Sequence, residues 1–198
     1  VFSGALGGLY LFTDVYDDIN NSVVSIICLS CIKLNSVSAA YFSFDTANGK
    51  PHPDFVMENL TKGPVFIAYR TQVCEYCDYM EPLLMEMFNL TFEKEDIFYK
   101  TLSFNESNIT FMHINKDLSE GELRESYDVY DVSGDSVVPM FTIITYNYDK
   151  GTVRPCFYTT YGILNPDFSD EERIDTFEKN VLTAIDLYDE FHTGFEYN

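Results

Sequence analysis

The chain has 198 residues, of which 12 are basic and 32 are acidic, so its formal charge at neutral pH is −20. This charge excludes most nucleic-acid-binding proteins, which need a basic surface, and it disfavours docking on an anionic membrane. Hydrophobic residues make up 46% of the chain, which excludes an acidic disordered protein. Length and composition together indicate one globular domain with an extension.

Residues 1–40 form the extension, which is apolar and carries the cysteine pair Cys28 and Cys31. We interpret it either as the remnant of a membrane anchor or signal peptide, or as an apolar segment that docks within the fold. Neither of its uncharged runs reaches the ~20 residues that a spanning helix needs. The sequence leaves two further possibilities open. One is a membrane anchor upstream of Val1, and the other is a set of assembly partners that bind this segment.

Residues 41–198 are predicted to form a single domain of alternating strands and helices. The predicted elements, in chain order, are strand 41–44, helix 54–60, strand 65–69, helix 74–88, strand 109–114, helix 119–130, strand 140–146, strand 152–158 and a last helix from 169. Capping boxes at Ser119–Glu122 and Ser169–Glu172 predict where the last two helices begin. Residues 89–108 are polar and acidic, which indicates an exposed insertion.

The order of these elements predicts an α/β fold. Strands joined through helices are expected to run parallel, and the last two strands are close enough to form an antiparallel hairpin. The sequence therefore predicts a central mixed sheet flanked by helices.

A second cysteine pair, Cys74 and Cys77, follows the apolar strand 65–69 and opens the helix 74–88. At a helix N-terminus, unpaired N–H groups and the helix dipole stabilise a thiolate. The second cysteine lies one turn further on, where it can resolve a mixed disulfide. The spacing and the context therefore indicate redox chemistry at this pair.

The region from Tyr41 to Phe191 resembles the thioredoxin family. In that family a proline follows the second cysteine by five residues, and a cis-proline opens the strand that faces the disulfide. The matching features here are Pro82, the segment 138–142 with Pro139, the hairpin at Lys150 and Gly151, and Gly162 ahead of the final helix. The resemblance implies a thioredoxin-like fold.

The resemblance also implies thiol–disulfide exchange on protein thiols or disulfides, with no cofactor and no metal. Cys74 would be the attacking thiolate and Cys77 the resolving thiol, while Pro139 in cis would hold the preceding backbone against the substrate. The residues expected to contact the substrate chain are Val138, Glu75 and Tyr76.

Several positions depart from the family pattern. Val73 stands where family reductases usually have Trp, and Ala68 stands where they usually have a buried Asp that relays protons. Negative charge around the cysteines, from Glu75, Asp78 and Glu81, opposes the helix dipole and predicts a slower nucleophile. These departures favour an alternative, a redox-silent thioredoxin-fold subunit of a cell-surface or membrane assembly, in which the disulfide is structural.

The remaining cysteines allow several interpretations. Cys28 and Cys31 fit a structural disulfide, a second redox couple, or half of a four-cysteine zinc site shared with Cys74 and Cys77. Cys156 is predicted to be buried and inert on a strand. His113 is predicted to be a hydrogen-bonded core histidine.

Asn-x-Ser/Thr sequons indicate the compartment. They occur at Asn20, Asn59, Asn89, Asn105 and Asn108. Because such sequons carry glycans only outside the cytoplasm, they favour a secreted or membrane-anchored, outward-facing glycoprotein. Accidental matches in a cytosolic protein are the alternative.

Overall fold

The computed structural model describes residues 41–95 and 97–194. The extension 1–40, with Cys28, Cys31 and Asn20, therefore lies outside the described residues, and the predictions made for it stay predictions. Across the described ranges, no helix combines the length and the apolar composition needed to cross a bilayer.

The described part of the chain alternates strands and helices, as the sequence predicts. Its strands are β1 (Val65–Arg70), β2 (Phe98–Phe104), β3 (Ser107–Asn115), β4 (Met140–Asp149) and β5 (Thr152–Tyr161), and its helices are α1 (Asp54–Leu60), α2 (Glu75–Phe88), α3 (Gly121–Tyr130) and α4 (Asp170–Phe191). Single 3₁₀ turns lie at Ala47–Gly49 and His192–Gly194.

The strands form one five-stranded sheet in the order β2-β3-β1-β4-β5. β1 lies at the centre, where it pairs parallel with β3 and antiparallel with β4. β4 and β5 form an antiparallel hairpin that turns at Lys150 and Gly151. The predicted α/β fold, a central mixed sheet flanked by helices, is confirmed.

Side chains of β1 point alternately to the two faces of the sheet, and all six of its residues are buried. On one face, the Phe66 ring packs against Phe88 of α2 at 5.1 Å and against Phe177 of α4 at 6.0 Å. On the other face, the Tyr69 ring packs edge-on against Tyr127 of α3 at 5.5 Å. Helices thus cover both faces, which explains why a near-continuous apolar run suits this strand.

Two segments differ from the sequence-based expectation. The segment 89–108, expected to be an exposed insertion, contains the edge strand β2, which pairs antiparallel with β3. Asn105 and Glu106 both adopt positive φ between these strands, as a tight two-residue hairpin turn requires. The short strand expected at 41–44 is only a single bridge between Ser43 and Phe157.

The two predicted helix caps have different outcomes. At α4 the Ser169 side chain and the Glu172 carboxylate form a complete capping box, as predicted. At α3 the prediction is wrong, because the helix begins only at Gly121, with Glu120 as the N-cap residue. Glu122 instead accepts a hydrogen bond from the Asp54 backbone N–H at 2.6 Å, a long-range contact that the local pattern does not reveal.

Candidate functional site

The candidate site begins where β1 ends. Cys74, the fourth residue after β1, is the N-cap of α2, and its sulfur accepts a hydrogen bond from the Cys77 backbone N–H at 3.1 Å. This bond satisfies one of the N–H groups that a helix leaves unpaired in its first turn. Cys74 and Cys77 are joined by a disulfide in the structure.

The two cysteines differ in their exposure to solvent. Cys74 keeps 8% of its surface exposed, whereas Cys77 is completely buried. The chain around them is open, since Val73 is 92% exposed and Tyr76 is 58% exposed. Cys74 is therefore the less buried of the two cysteines, and Cys77 lies on the inner face of α2.

Pro139 lies at the same end of the sheet as the disulfide. The antiparallel register pairs Tyr69 of β1 with Met140 of β4, and continuing it by one pair sets Pro139 opposite Arg70. Pro139 thus lies at the end of β1 from which the chain continues to the cysteines. The peptide bond between Val138 and Pro139 is cis, as the resemblance implies.

A buried carboxylate organises the loop that leads to Pro139. Asp131 accepts hydrogen bonds from the Ser133 hydroxyl at 2.8 Å, from the Gly134 and Ser136 N–H groups at 3.2 and 3.0 Å, and from the Tyr161 hydroxyl at 3.1 Å. Burial acts to raise the pKa of Asp131, but these hydrogen bonds outweigh it and lower the pKa overall. The ionised carboxylate therefore holds the loop in place.

The residues predicted to contact a substrate are accessible to different degrees. Glu75 and Tyr76 are exposed in the first turn of α2, and Val138 is half-buried beside Pro139. Tyr79, one turn after Tyr76 on the same helix, also reaches the surface, where its hydroxyl bonds to Asp170 of α4. The surface around the disulfide therefore combines aromatic rings with negative charge.

The helix α2 also contributes to a cluster of charged side chains that was not predicted from the sequence. Arg70 is 1% exposed and Glu81 is 6% exposed, and their Nη1 and Oε2 atoms are 2.5 Å apart. Arg70 Nη2 also lies 2.8 Å from Asp78 Oδ1, and His113 Nε2 lies 3.1 Å from Glu81 Oε1. We call these four residues the Glu81 cluster.

The Glu81 cluster changes the charge balance expected at the cysteines. Asp78 and Glu81 both bind the Arg70 guanidinium, whose positive charge offsets part of the negative charge that these two residues bring to the start of α2. Ala68 carries no titratable group, and the buried carboxylate comes from α2 instead of β1. The hydrogen bond of His113 confirms the prediction of a satisfied core histidine.

The spacing of Cys77 and Glu81 in the sequence could have predicted this cluster. Residues four apart on a helix share one face, so a buried Cys77 predicts that Glu81 also faces the core. A buried carboxylate then requires a cation, and Arg70 ends a strand that is otherwise apolar. From the sequence, Glu81 was expected only to add negative charge around the cysteines, together with Glu75 and Asp78.

The fifth cysteine and the sequons lie elsewhere. Cys156 is completely buried in β5, as predicted, and burial raises the pKa of its thiol. Asn89, Asn105 and Asn108 are exposed, whereas Asn59 is half-buried in α1 and donates a hydrogen bond to the Phe55 carbonyl. In the part of the chain that the structure describes, no group of three or more His, Cys, Asp or Glu side chains is arranged to hold a metal ion.

Comparison of the chain with models of protein families, with curated proteins and with solved structures finds no match.

Proposed function

We propose that the protein is a thiol–disulfide oxidoreductase that acts on protein cysteines outside the cytoplasm. The observation that carries the proposal is the Cys74–Cys77 disulfide at the start of α2, in which Cys74 keeps a small exposed fraction and Cys77 keeps none. Thiol–disulfide exchange needs a difference between the two cysteines, because one sulfur forms the mixed disulfide with the substrate and the other then displaces the substrate. The resemblance to the thioredoxin family supports the same activity.

In the reducing direction, the Cys74 thiolate attacks one sulfur of a substrate disulfide. A Cys74–substrate disulfide forms, and the second substrate sulfur leaves as a thiolate. Cys77 then loses its proton and attacks the Cys74 sulfur, so the intramolecular disulfide forms and the first substrate sulfur leaves with its electron pair. The substrate has gained two electrons and the protein has lost two, and the same steps in reverse oxidise a substrate dithiol.

The start of α2 favours Cys74 as the outer sulfur. The helix dipole and the free N–H groups of the first turn stabilise negative charge at the N-cap, both when Cys74 attacks and when it leaves. Glu75 and Tyr76, together with Val138 beside Pro139, would contact the substrate chain. The exposure of Glu75 and Tyr76, which directly follow Cys74 along the chain, supports this role.

Placement outside the cytoplasm is part of the proposal. Asn89, Asn105 and Asn108 are exposed, so their side chains are accessible to glycosylation. Disulfides persist mainly in oxidising compartments, in agreement with this location. A tether through the extension 1–40, and a second redox or structural disulfide between Cys28 and Cys31, complete the proposal.

A structural role is the second candidate. It is favoured by the small exposed fraction of Cys74, which limits how closely a folded partner can approach its sulfur. In that case the disulfide would fix the corner between β1 and α2, and the protein would serve as a binding subunit of a surface or membrane assembly.

Trapping with a defined substrate distinguishes the two candidates. A Cys77→Ser variant, reduced and mixed with insulin, retains Cys74 but cannot resolve a mixed disulfide. We expect a covalent adduct with an insulin chain that dithiothreitol reverses and that peptide mass spectrometry locates at Cys74.

The matched control is Cys74→Ser, which leaves only the buried sulfur of the pair, and both variants also carry Cys28→Ser, Cys31→Ser and Cys156→Ala. An adduct that persists in Cys74→Ser, or no adduct in Cys77→Ser, would overturn the exchange proposal and leave the structural role.

A further inference from the structure

The segment 71–73, which joins β1 to the disulfide, has little packing to hold it. Gln72 and Val73 are both exposed, and Thr71 is only half-buried. The course of a segment with so few buried contacts depends on its hydrogen bonds. Because the segment ends at Cys74, its position also sets the place of the Cys74 backbone at the start of α2.

One hydrogen bond joins this segment to a part of the chain that is distant in sequence. The Gln72 backbone N–H donates to Asp117 Oδ2 at 2.7 Å. Two other hydrogen bonds of the segment are local, since the Thr71 hydroxyl donates to the Val73 carbonyl and Arg70 Nε donates to the Thr71 carbonyl. Asp117 therefore links the segment to the connection between β3 and α3, residues 116–120.

Asp117 lies in a turn that the sheet holds in place. Its own N–H donates to the Asn115 side chain at 3.1 Å, and Asn115 is completely buried at the end of β3. The Ser119 N–H donates to the Asn115 carbonyl at 2.9 Å. The Lys116 N–H donates to the Arg70 carbonyl at 2.8 Å and so continues the pairing of β3 with β1. The Asp117 carboxylate is thus presented from a fixed base.

The same turn is also connected to the loop before Pro139. Lys116 Nζ lies 3.2 Å from the centroid of the Tyr127 ring, close enough for a cation–π contact. The Tyr127 hydroxyl in turn donates to the Val137 carbonyl at 2.8 Å. Asp117 therefore belongs to a turn that is connected to both segments leading into the candidate site.

We propose that Asp117 is a positioning residue, which holds Cys74 at the N-terminus of α2 through the Gln72 N–H. This inference rests on the proposed exchange function. With the segment 71–73 held, the Cys74 sulfur stays where it accepts the Cys77 N–H, and the first turn of α2 stabilises its thiolate. Without Asp117 the segment can shift, and the thiolate loses part of that stabilisation.

The charge and the hydrogen bond of Asp117 act on a Cys74 thiolate in opposite directions. Negative charge nearby disfavours a thiolate, so removal of the charge alone makes Cys74 ionise more easily. Placement at the helix N-terminus favours a thiolate, so loss of the hydrogen bond makes Cys74 ionise less easily. The other charged side chains on and beside the first turns of α2, which are Glu75, Asp78 and Arg70, stay the same in every variant. The direction of the change therefore separates positioning from charge.

The rate of alkylation measures how much of Cys74 is a thiolate. The full chain is used with Cys28→Ser, Cys31→Ser and Cys156→Ala, and it is reduced before it reacts with iodoacetamide. Peptide mass spectrometry follows the rate at Cys74 between about pH 4 and 10, a range that covers the ionisation of most protein thiols. The alkylation midpoint is the pH at which this rate reaches half of its maximum. Insulin trapping reports the exchange function separately, so the failure of one is distinguishable from the failure of the other.

We expect Asp117→Ala to raise the alkylation midpoint by about 0.5 pH unit, the size of a helix-terminus effect. Asp117→Asn removes the charge but keeps an acceptor for the Gln72 N–H, so its midpoint should not rise. The matched control is Glu120→Ala, which removes one negative charge from the same connection. Glu120 is exposed and its side chain makes no cap hydrogen bond, so this variant should not raise the midpoint either.

Three results would overturn the inference. A midpoint that falls or stays in place in Asp117→Ala would show that the hydrogen bond does not position Cys74, even if the variant is less stable to urea. An equal rise in Asp117→Asn would show that the acceptor is not what holds the segment. An equal rise in Glu120→Ala would show that any change in the connection has this effect. Because Asp117 is exposed, its truncation should not prevent folding.

Discussion

Arg70 Nη1 lies 2.5 Å from Glu81 Oε2, in an ion pair that is almost completely buried between the central strand β1 and the helix α2. The same guanidinium reaches Asp78, and the same carboxylate reaches His113 of β3. This pair therefore links the end of the central strand to the helix that begins with the disulfide. It gives the site a fixed charge arrangement on its inner side.

Breaking this pair should destabilise the fold strongly. We expect Arg70→Met to lower the free energy of unfolding by about 3–5 kcal/mol, because Glu81 would stay buried without its cation. The double variant Arg70→Met/Glu81→Leu removes both charges and should regain much of that loss. Urea denaturation of the three proteins measures these differences.

The matched control is Arg154→Met, whose guanidinium pairs with Asp149 near the surface. Ion pairs near the surface contribute little to stability, so the free energy of unfolding of this variant should fall by about 1 kcal/mol or less. If Arg70→Met lowers the free energy of unfolding no more than Arg154→Met does, the buried pair does not stabilise the fold as proposed.

The Asp131 carboxylate should stabilise the loop before Pro139 through its hydrogen bonds. Asp131→Asn should lower the free energy of unfolding at neutral pH by about 1.5–3 kcal/mol, the range for hydrogen bonds to a charged group. The pKa of Asp131 is lower in the folded protein than its ordinary value of 3.8. The ionised carboxylate therefore stabilises the fold at pH values above 3.8. The stabilisation is lost as pH falls through the lower folded value.

The difference between the native protein and Asp131→Asn should therefore shrink below about pH 4, which denaturation at several pH values can follow. Asp135→Asn, in the same loop but exposed, is the control. A difference that stays constant down to pH 2 would contradict an ionised, hydrogen-bonded Asp131.

His52 should make the fold sensitive to mild acid. Burial, followed by the positive charge of Arg154, lowers the pKa of His52 from 6.5 to about 4. Between these values the unfolded chain binds a proton that the folded chain does not, so stability falls as pH falls. The loss amounts to at most about 1.4 kcal/mol for each pH unit.

We expect His52→Gln to flatten the decline in unfolding free energy between pH 6.5 and 4, even though it also loses the contact of the His52 ring with the Tyr130 hydroxyl. Arg154→Gln should flatten the decline only in part, because burial is the larger cause of the shift. An equal slope in the native protein and in His52→Gln would show that His52 is not the group responsible.

The sequence predicted those parts of the fold that depend on local pattern. β1 is an apolar run, and α4 begins at a capping box whose two side chains bind each other's backbone. β2 was missed because an edge strand with one exposed face has little hydrophobic signal. The cap predicted at Ser119 is wrong because Glu122 binds the distant Asp54, and propensity contains no information about such a contact.

The site was predicted only on its outer side. Cys74, Cys77 and Pro139 have recognisable sequence signals, and the structure places all three at one end of the central strands. The Glu81 cluster joins residues 70, 81 and 113, which come together only when β3 pairs with β1. A sequence read residue by residue contains the charges but does not show which of them are buried together.

Native-state reduction followed by alkylation tests the central claim most directly. The folded protein is treated with dithiothreitol and iodoacetamide without denaturant, and peptide mass spectrometry measures labelling at Cys74, Cys77 and Cys156. We expect that the disulfide opens in the folded protein, that Cys74 is labelled several-fold faster than Cys77, and that Cys156 is labelled only after unfolding. A disulfide that resists reduction until the protein unfolds, or faster labelling of Cys77 than of Cys74, would contradict an exchange site at the start of α2.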